Sequence, residues 1–433
     1  MNNRHKYGWK DSETGVRLTP DGSTIESSPA DGALKGSEIV SEPTAGSLSA
    51  ANVKVSRVQS GPVEQIHISA VPQLAEADVK AQTKSLYAAI VERLEDPPSL
   101  RIVVERVFGA LTAKDGFLSA RAETLTAAGM SPEVPLTYIE GAPVEGNGLA
   151  GVHLTLIRDA EGVQIEPISE GEETRGFCVT SGEVRRAYLA CVHGVDPDSP
   201  AATPEDQAWR MFERADELLQ SVGLSYQKVV CTRIYVKRLL AWYDRFNGVR
   251  TPFYEKLGLM GGEGPSRVPA STGIQGKMSD GCECFMDVMA GTAGEDEESP
   301  FVRLYNPLQN EATDYGSSFA RGVSVDAPGV RYVLISGTAA IDVNGKSVHL
   351  NDPVGQTRRT MDNFEAILGE GGATPAELYH AVWYCKDPSY GEIVRREMRS
   401  RGWPELPCPV VHADVCRHDL LVEVDGSAVL ATG

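Results

Sequence analysis

The sequence predicts a tandem of α/β units, each about 100 residues long, in place of one large domain. Three observations carry this reading: a length of 433 residues, a gapless internal repeat, and the same order of strands and helices on either side of an acidic break.

The repeat is the strongest of the three. In PEDQAWRMFERADELLQSVGLSYQKVVCTRIY the marked positions are Gln207, Leu218, Leu219, Gly223 and Tyr235. In PVGQTRRTMDNFEAILGEGGATPAELYHAVWY they are Gln356, Ile367, Leu368, Gly372 and Tyr384. The offsets from the glutamine are 11, 12, 16 and 28 in both. Each copy reads as a helix with an apolar stripe (Met211, Ala215, Leu218, Leu219; then Met361, Phe364, Ile367, Leu368), stopped by glycine and followed by a strand. Strand-like runs lie upstream (RRAYLACVHG, RYVLISGTAAID) and downstream (CFMDVMAG, LLVEVDGSAVLA). A fainter copy, DVKAQTKSLYAAIVERL then RIVVERVFGA, keeps the offset of 12 from Gln82 to Leu94.

Residues 1–61, rich in Ser, Gly, Pro, Thr and acidic side chains, read as a flexible leader. The run GTAGEDEESP at 291–300 reads as a linker. The expected boundaries are therefore a degenerate unit over 62–170, a second unit over 171–292 and a C-terminal unit over 301–433.

Composition narrows the function. A net charge of −19 argues against a nucleic-acid surface, which needs clustered Lys and Arg. No stretch approaches the roughly 18 apolar residues of a membrane span, and the start lacks the apolar run of a secretory signal, so a cytoplasmic location is expected. Eight cysteines without C-x-x-C spacing read as reduced thiols, and the C-x-C pair Cys282 and Cys284 has no His nearby, so no metal is expected. No phosphate loop, dinucleotide fingerprint or nucleophile elbow is present, and no cofactor is expected.

The C-terminal unit, through ISGTAAID, the Gln356 helix ending in AILGEGGA, and LLVEVDGSAV, resembles the RidA (YjgF-like) superfamily of reactive-intermediate deaminases. The middle unit shows the same skeleton. The resemblance implies a fold similar to chorismate mutase of the AroH type: small α/β units in threes, sheets inside, helices outside, ligand sites between units. Three units in one chain would imitate that trimer as a monomeric pseudo-trimer with unequal clefts. The superfamily's P-x-R arginine is missing: its matching positions hold Cys408 and Ala270, which weakens an enamine or imine deaminase reading, although Arg267 or Arg417 could substitute.

A narrower resemblance is to the chorismatases. TRIYVKRLLAWYDRFNGVRTPFY, PASTGI, YGSSFARG and ADVCRHDLLVEV are similar to four ordered chorismatase elements. The resemblance implies a hydrolase that cleaves the enolpyruvyl ether of chorismate or a related small carboxylate and releases pyruvate. The alternatives are the deaminase activity and a metabolite-binding protein without turnover.

That chemistry needs an acid to protonate a methylene carbon, and burial keeps a carboxyl protonated. Strand alternation puts Leu421, Glu423 and Asp425 on one face. Glu423 matches the acidic residue of the chorismatase element and is the candidate acid; a solvent-facing strand residue paired with lysine is the other reading. Asp425 could share the cleft or make a structural hydrogen bond. For a dianionic substrate, Arg233, Arg250 and Arg321 lie in matching elements, and Arg233 shares a strand face with Tyr235. Arg250 could equally pair with an acid on the surface. The small residues around Thr338 and Ala339 could admit a ring or simply pack tightly. Cys416, seven residues before Glu423, matches a cysteine of some chorismatases and could shape the pocket. With no His near it in sequence, it is not read as a nucleophile.

Overall fold

The computed structural model describes residues 39–42, 51–73, 78–196, 202–262, 266–278, 281–292, 301–404 and 406–432. In the first unit the elements are β1 (Ile39–Glu42), β2 (Ala51–Ser60), β3 (Val63–Pro72), α1 (Val79–Val91), β4 (Leu100–Gly109), α2 (Lys114–Ala127), β5 (Thr137–Glu140) and β6 (Leu149–Arg158). The second has β7 (Gln164–Glu170), β8 (Glu173–Ser181), β9 (Val184–His193), α3 (Pro204–Gln220), β10 (Val229–Val236), α4 (Leu239–Lys256), β11 (Ala270–Gln275) and β12 (Cys284–Gly291). The third has β13 (Val302–Leu304), β14 (Gly322–Ala327), β15 (Val330–Ala339), α5 (Pro353–Glu370), β16 (Leu378–Cys385), α6 (Tyr390–Ser400), β17 (Val410–His412) and β18 (Val422–Ala431).

Each unit forms a six-stranded sheet of one topology, β1-β2-β3-β6-β4-β5 and its two counterparts. The last-but-one pairing is antiparallel and the edge strand is parallel, as for β10 with β12 and β11. The faint first copy is thus a full unit. Its sheet begins inside the segment expected as leader: β2 pairs along its whole length with β3. Polar residues such as Lys54, Ser56, Arg57 and Gln59 dominate the composition of β2 and conceal an apolar alternation at Ala51, Val53 and Val55. The second sheet likewise begins at Gln164, ahead of the expected boundary. Residues 1–38 and 293–300, which hold most of the expected leader and linker, lie outside the described residues.

The long helices start where local chemistry dictates. Thr203 caps α3 with Asp206 in a reciprocal capping box, and Asp352 caps α5, each with proline in the first turn. Gly223 and Gly372 end them at φ of 72° and 82°, where a side chain would be strained. The stripes Met211, Phe212, Ala215, Leu219 and Met361, Phe364, Ile367, Leu368 are fully buried against their own sheets.

The marked glutamines explain why the repeat has no gaps. Gln356 Nε2 donates to the Asp419 carbonyl at 2.8 Å, and its Oε1 accepts from Leu421 N at 2.8 Å. Gln207 makes the same pair with Gly281 O and Glu283 N, and Gln82 with Asn147 O and Leu149 N. Each glutamine therefore ties its helix to the loop before the closing strand and sets the register of that strand.

The inner faces meet along one axis. Phe108, Tyr235 and Tyr384 hold equivalent register positions opposite Gly151, Phe285 and Glu423, and all three rings share one apolar cluster. Further along, Tyr332 donates to Gln65 Oε1 at 2.5 Å and Gln65 Nε2 donates to Tyr188 at 3.1 Å, one group from each unit.

Replacing Gln356 by Ala leaves the Leu421 amide and the Asp419 carbonyl without their partner. We expect a loss of about 2–4 kcal/mol in urea-unfolding stability, whereas Arg331→Ala, which breaks an exposed pair with Asp326, should cost under about 1 kcal/mol.

Candidate active site

The main cleft, about 610 Å³, lies where the edge of the second unit meets the inner face of the third. One wall is β11 with α4: Ser271 and Gly273 from the strand, Tyr243, Asn247 and Thr251 from the helix. These three recur every fourth residue and so lie along one helical face. The other wall is Gly337 and Ala339 of β15, Glu423 of β18, and Phe319, Arg321, Cys416 and Arg417 from the connecting loops. The walls are stitched together by Ser271 N donating to Ser336 Oγ (2.8 Å) and Gly337 N donating to Thr272 Oγ1 (3.0 Å).

Glu423 is 3 % exposed. Burial, then the nearby charge of Asp425, raises its pKa to about 8, against the opposing pull of Arg321 and Arg417. The carboxyl is therefore mostly protonated at neutral pH. Its place depends on Gly337: a Cβ there would collide with a Glu423 carboxyl oxygen and lie 3.1 Å from the carboxyl carbon.

The guanidiniums are fixed by the fold. Arg321 Nε donates to the Asn310 carbonyl at 3.0 Å, and Arg417 Nη1 donates to the Gly345 carbonyl at 2.8 Å. Arg321 lies 5.4 Å from the Phe319 ring and Arg250 5.6 Å from the same ring. Burial, then Glu423, pushes the Cys416 thiol up to about 12, so it stays protonated and walls the cleft without acting as a thiolate.

Of the residues expected from sequence, Glu423, Arg321, Ala339 and Cys416 line this cleft. Arg250 does not reach it; fully buried, it donates to Asn247 Oδ1 at 2.6 Å and so props up a lining residue. That also removes the surface ion pair expected as its alternative. Thr338 faces the core with Val424, its hydroxyl donating to Ser336 O at 2.9 Å.

Arg233 and Tyr235 do share a strand face, but that face turns to the axis. Arg233 contacts His380 Nε2 (2.7 Å), Ser427 Oγ (3.2 Å) and Asp425 (3.5 Å), and the Tyr235 ring stacks on Phe285 at 5.1 Å. Both are expected from sequence as substrate-binding groups, but of the second unit's strands only β11 lines the cleft, while this face of β10 packs against the third unit's His380, Ser427 and Asp425. Cys408 and Ala270 are both off the cleft wall, and Arg417 alone of the two possible substitute arginines lines it.

Sequence reasoning did not single out Tyr243, Asn247, Thr251, Ser271 or Gly273 as lining groups, and named Arg417 only as a possible deaminase substitute. The helical spacing of the first three within YDRFNGVRT was a usable signal.

The glutamine clamps allow the three units to be compared at the acid's position, two residues beyond the clamped amide. It is Gly151 in the first unit, Phe285 in the second and Glu423 in the third. Among these three positions, the third unit's alone holds an acid.

No family model matches this chain. A chorismatase from Streptomyces hygroscopicus is 29 % identical over 178 residues, covering 38 % of this chain and 50 % of the relative. A 3-hydroxybenzoate synthase from the same organism is 29 % identical over 178 residues, covering 36 % and 50 %. The chain thus spans about half the length of the curated relatives it matches. A chorismatase crystal structure aligns over 78 % of this chain and 95 % of its own, with a TM-score of 0.55 and 19 % identity, a likeness of fold. Three units of one α/β topology about a common axis, with a cleft between units, share the fold of that chorismatase structure. Over those 178 residues the chain is similar in sequence to chorismatases.

The raised acid makes a thermodynamic prediction. Because the folded pKa of about 8 exceeds the ordinary 4.5, the native state holds a proton that the unfolded chain releases, and stability from this group is lost as pH rises through that window. Wild-type stability relative to Glu423→Gln should fall between about pH 4.5 and 8 and level off above it, read from urea unfolding at fixed ionic strength.

Proposed function

We propose that the protein is a chorismatase-like hydrolase that cleaves the enolpyruvyl ether of chorismate, or of a closely related cyclic carboxylate, to pyruvate and the corresponding alcohol. The observation that carries this reading is a buried carboxyl, Glu423, its pKa pushed up to about 8 by burial, in a cleft that also presents two tethered guanidiniums.

The chemistry follows from those groups. Arg321 and Arg417 supply charge-assisted hydrogen bonds for substrate carboxylates. Glu423 transfers its proton to the terminal methylene carbon of the enol ether, and the ether oxygen stabilises the resulting cation. Water adds to the cationic carbon that bears the ether oxygen, giving a hemiketal, and returns a proton to the Glu423 carboxylate. The hemiketal then collapses, its hydroxyl proton passing to the departing ring oxygen as the carbon–oxygen bond breaks. One water is consumed and the acid is regenerated. The side chains of Asn247, Thr251 and Ser271 offer neutral partners for ring hydroxyls. A deaminase reading has less support, because the positions that would carry its arginine hold Cys408 and Ala270.

Incubation with chorismate, followed by coupled detection of pyruvate, tests the reading; absence of pyruvate from well-folded protein would overturn it. Glu423→Gln should lower pyruvate release by about 10²–10⁴-fold while calorimetry shows ligand affinity within about 3-fold of wild type. Gly337→Ala, which adds one methyl where the carboxyl sits, should reduce kcat about 10²-fold by displacing the acid, with little change in the unfolding midpoint. Full activity in Glu423→Gln would retain the reaction and remove this acid from it.

A further inference from the structure

A second cavity, of about 50 Å³, lies on the axis, away from the cleft. Its wall carries Arg106, Arg233, His67, His380 and Asp287 together with tyrosines from the second and third units. Arg106 is 6 % exposed and Arg233 8 %. Among the described residues, Arg106 Nε and Nη1, Arg233 Nε and His67 Nε2 are buried without a hydrogen-bond partner. Their counter-charges sit at ion-pair distance but beyond good hydrogen-bond length, Arg106 Nε to Asp287 Oδ2 at 3.6 Å and Arg233 Nε to Asp425 Oδ2 at 3.5 Å, and Asp287 Oδ2 and Asp425 Oδ1 are likewise buried without a hydrogen-bond partner.

Charge is also out of balance. Arg186, with its guanidinium 5.3 Å from the Tyr332 ring, adds a third cation to this axial region, against the two carboxylates of Asp287 and Asp425. Burial, then the neighbouring guanidiniums, drives His67 to about 3 and His153 and His380 well below the usual imidazole range, so the histidines are neutral and add no charge. One net positive charge is enclosed with unpaired donors around it, an arrangement that costs several kcal/mol unless an anion or other acceptor completes it.

We propose that the axial cavity is a binding site for one small monovalent inorganic anion of the halide class, held by Arg106 and Arg233 and flanked by His67. The volume admits a few water-sized particles and excludes a dicarboxylate, so the site is separate from the cleft and independent of the reading given to it. Completing the axis in this way ties together β4, β10 and β3, and hence the first and second units.

The test uses the whole protein. Crystals soaked in sodium bromide should show an anomalous peak at the bromine edge within contact distance of Arg106 and Arg233; peaks confined to the surface, or an axial feature with no anomalous signal, would mean that water fills the cavity and would overturn the proposal. In solution, Tm in saturating chloride should exceed Tm in gluconate at matched ionic strength by about 2 °C, and identical values would also overturn it. Arg106→Met removes the surplus charge and one donor group, and should abolish the chloride increment. If that variant does not fold, the wild-type bromide map and the chloride-to-gluconate comparison decide the matter.

Discussion

The buried glutamine on the first long helix of each unit is the constraint on which the rest of the molecule depends. By holding both a carbonyl and an amide of the loop before the closing strand, it fixes that strand's register. A slip of one residue would exchange every inward side chain for an outward one. In the third unit this would turn Glu423 into the helix-side core and bring Val422 and Val424 to the cleft. Core packing and cleft chemistry are therefore set by one pair of hydrogen bonds on each sheet.

The inner face of β18 then carries two carboxylates in unlike surroundings. Asp425 faces Arg233 and the Tyr384 hydroxyl on the axis. Glu423 faces the cleft, where burial and the charge of Asp425 favour its protonated form. Two acids two residues apart on one strand thus have different partners, because neighbouring units surround them differently. The arginines at the cleft are anchored by backbone carbonyls and so need little reorganisation to meet an anion.

Much of this was legible in the sequence. The repeat survives without gaps because the distance from helix glutamine to helix end to strand is fixed by packing, and it disclosed three units and their order of elements. Glu423, Arg321, Ala339 and Cys416 were legible through short motifs whose residues converge. The start of the first sheet was not, since β2 is polar on one face and lies in a stretch of leader-like composition. Arg233 and Tyr235 were assigned the right face of the right strand, but which face borders a cleft depends on the neighbouring unit, and strand alternation carries no information about that. The requirement for glycine at 337 was equally hidden, because it arises from a carboxyl 86 residues later in the chain.

The single occurrence of the acid has a consequence for how such a site can arise. In a ring of three identical chains, one codon change enters all three interfaces together, so a destabilising buried acid and the glycine that makes room for it are incurred in triplicate. Joining the units in one polypeptide separates the copies. Here the position holds Gly151 in one unit and Phe285 in another, so two interfaces are free to serve as adhesive while the third carries the burden of a carboxyl held out of water.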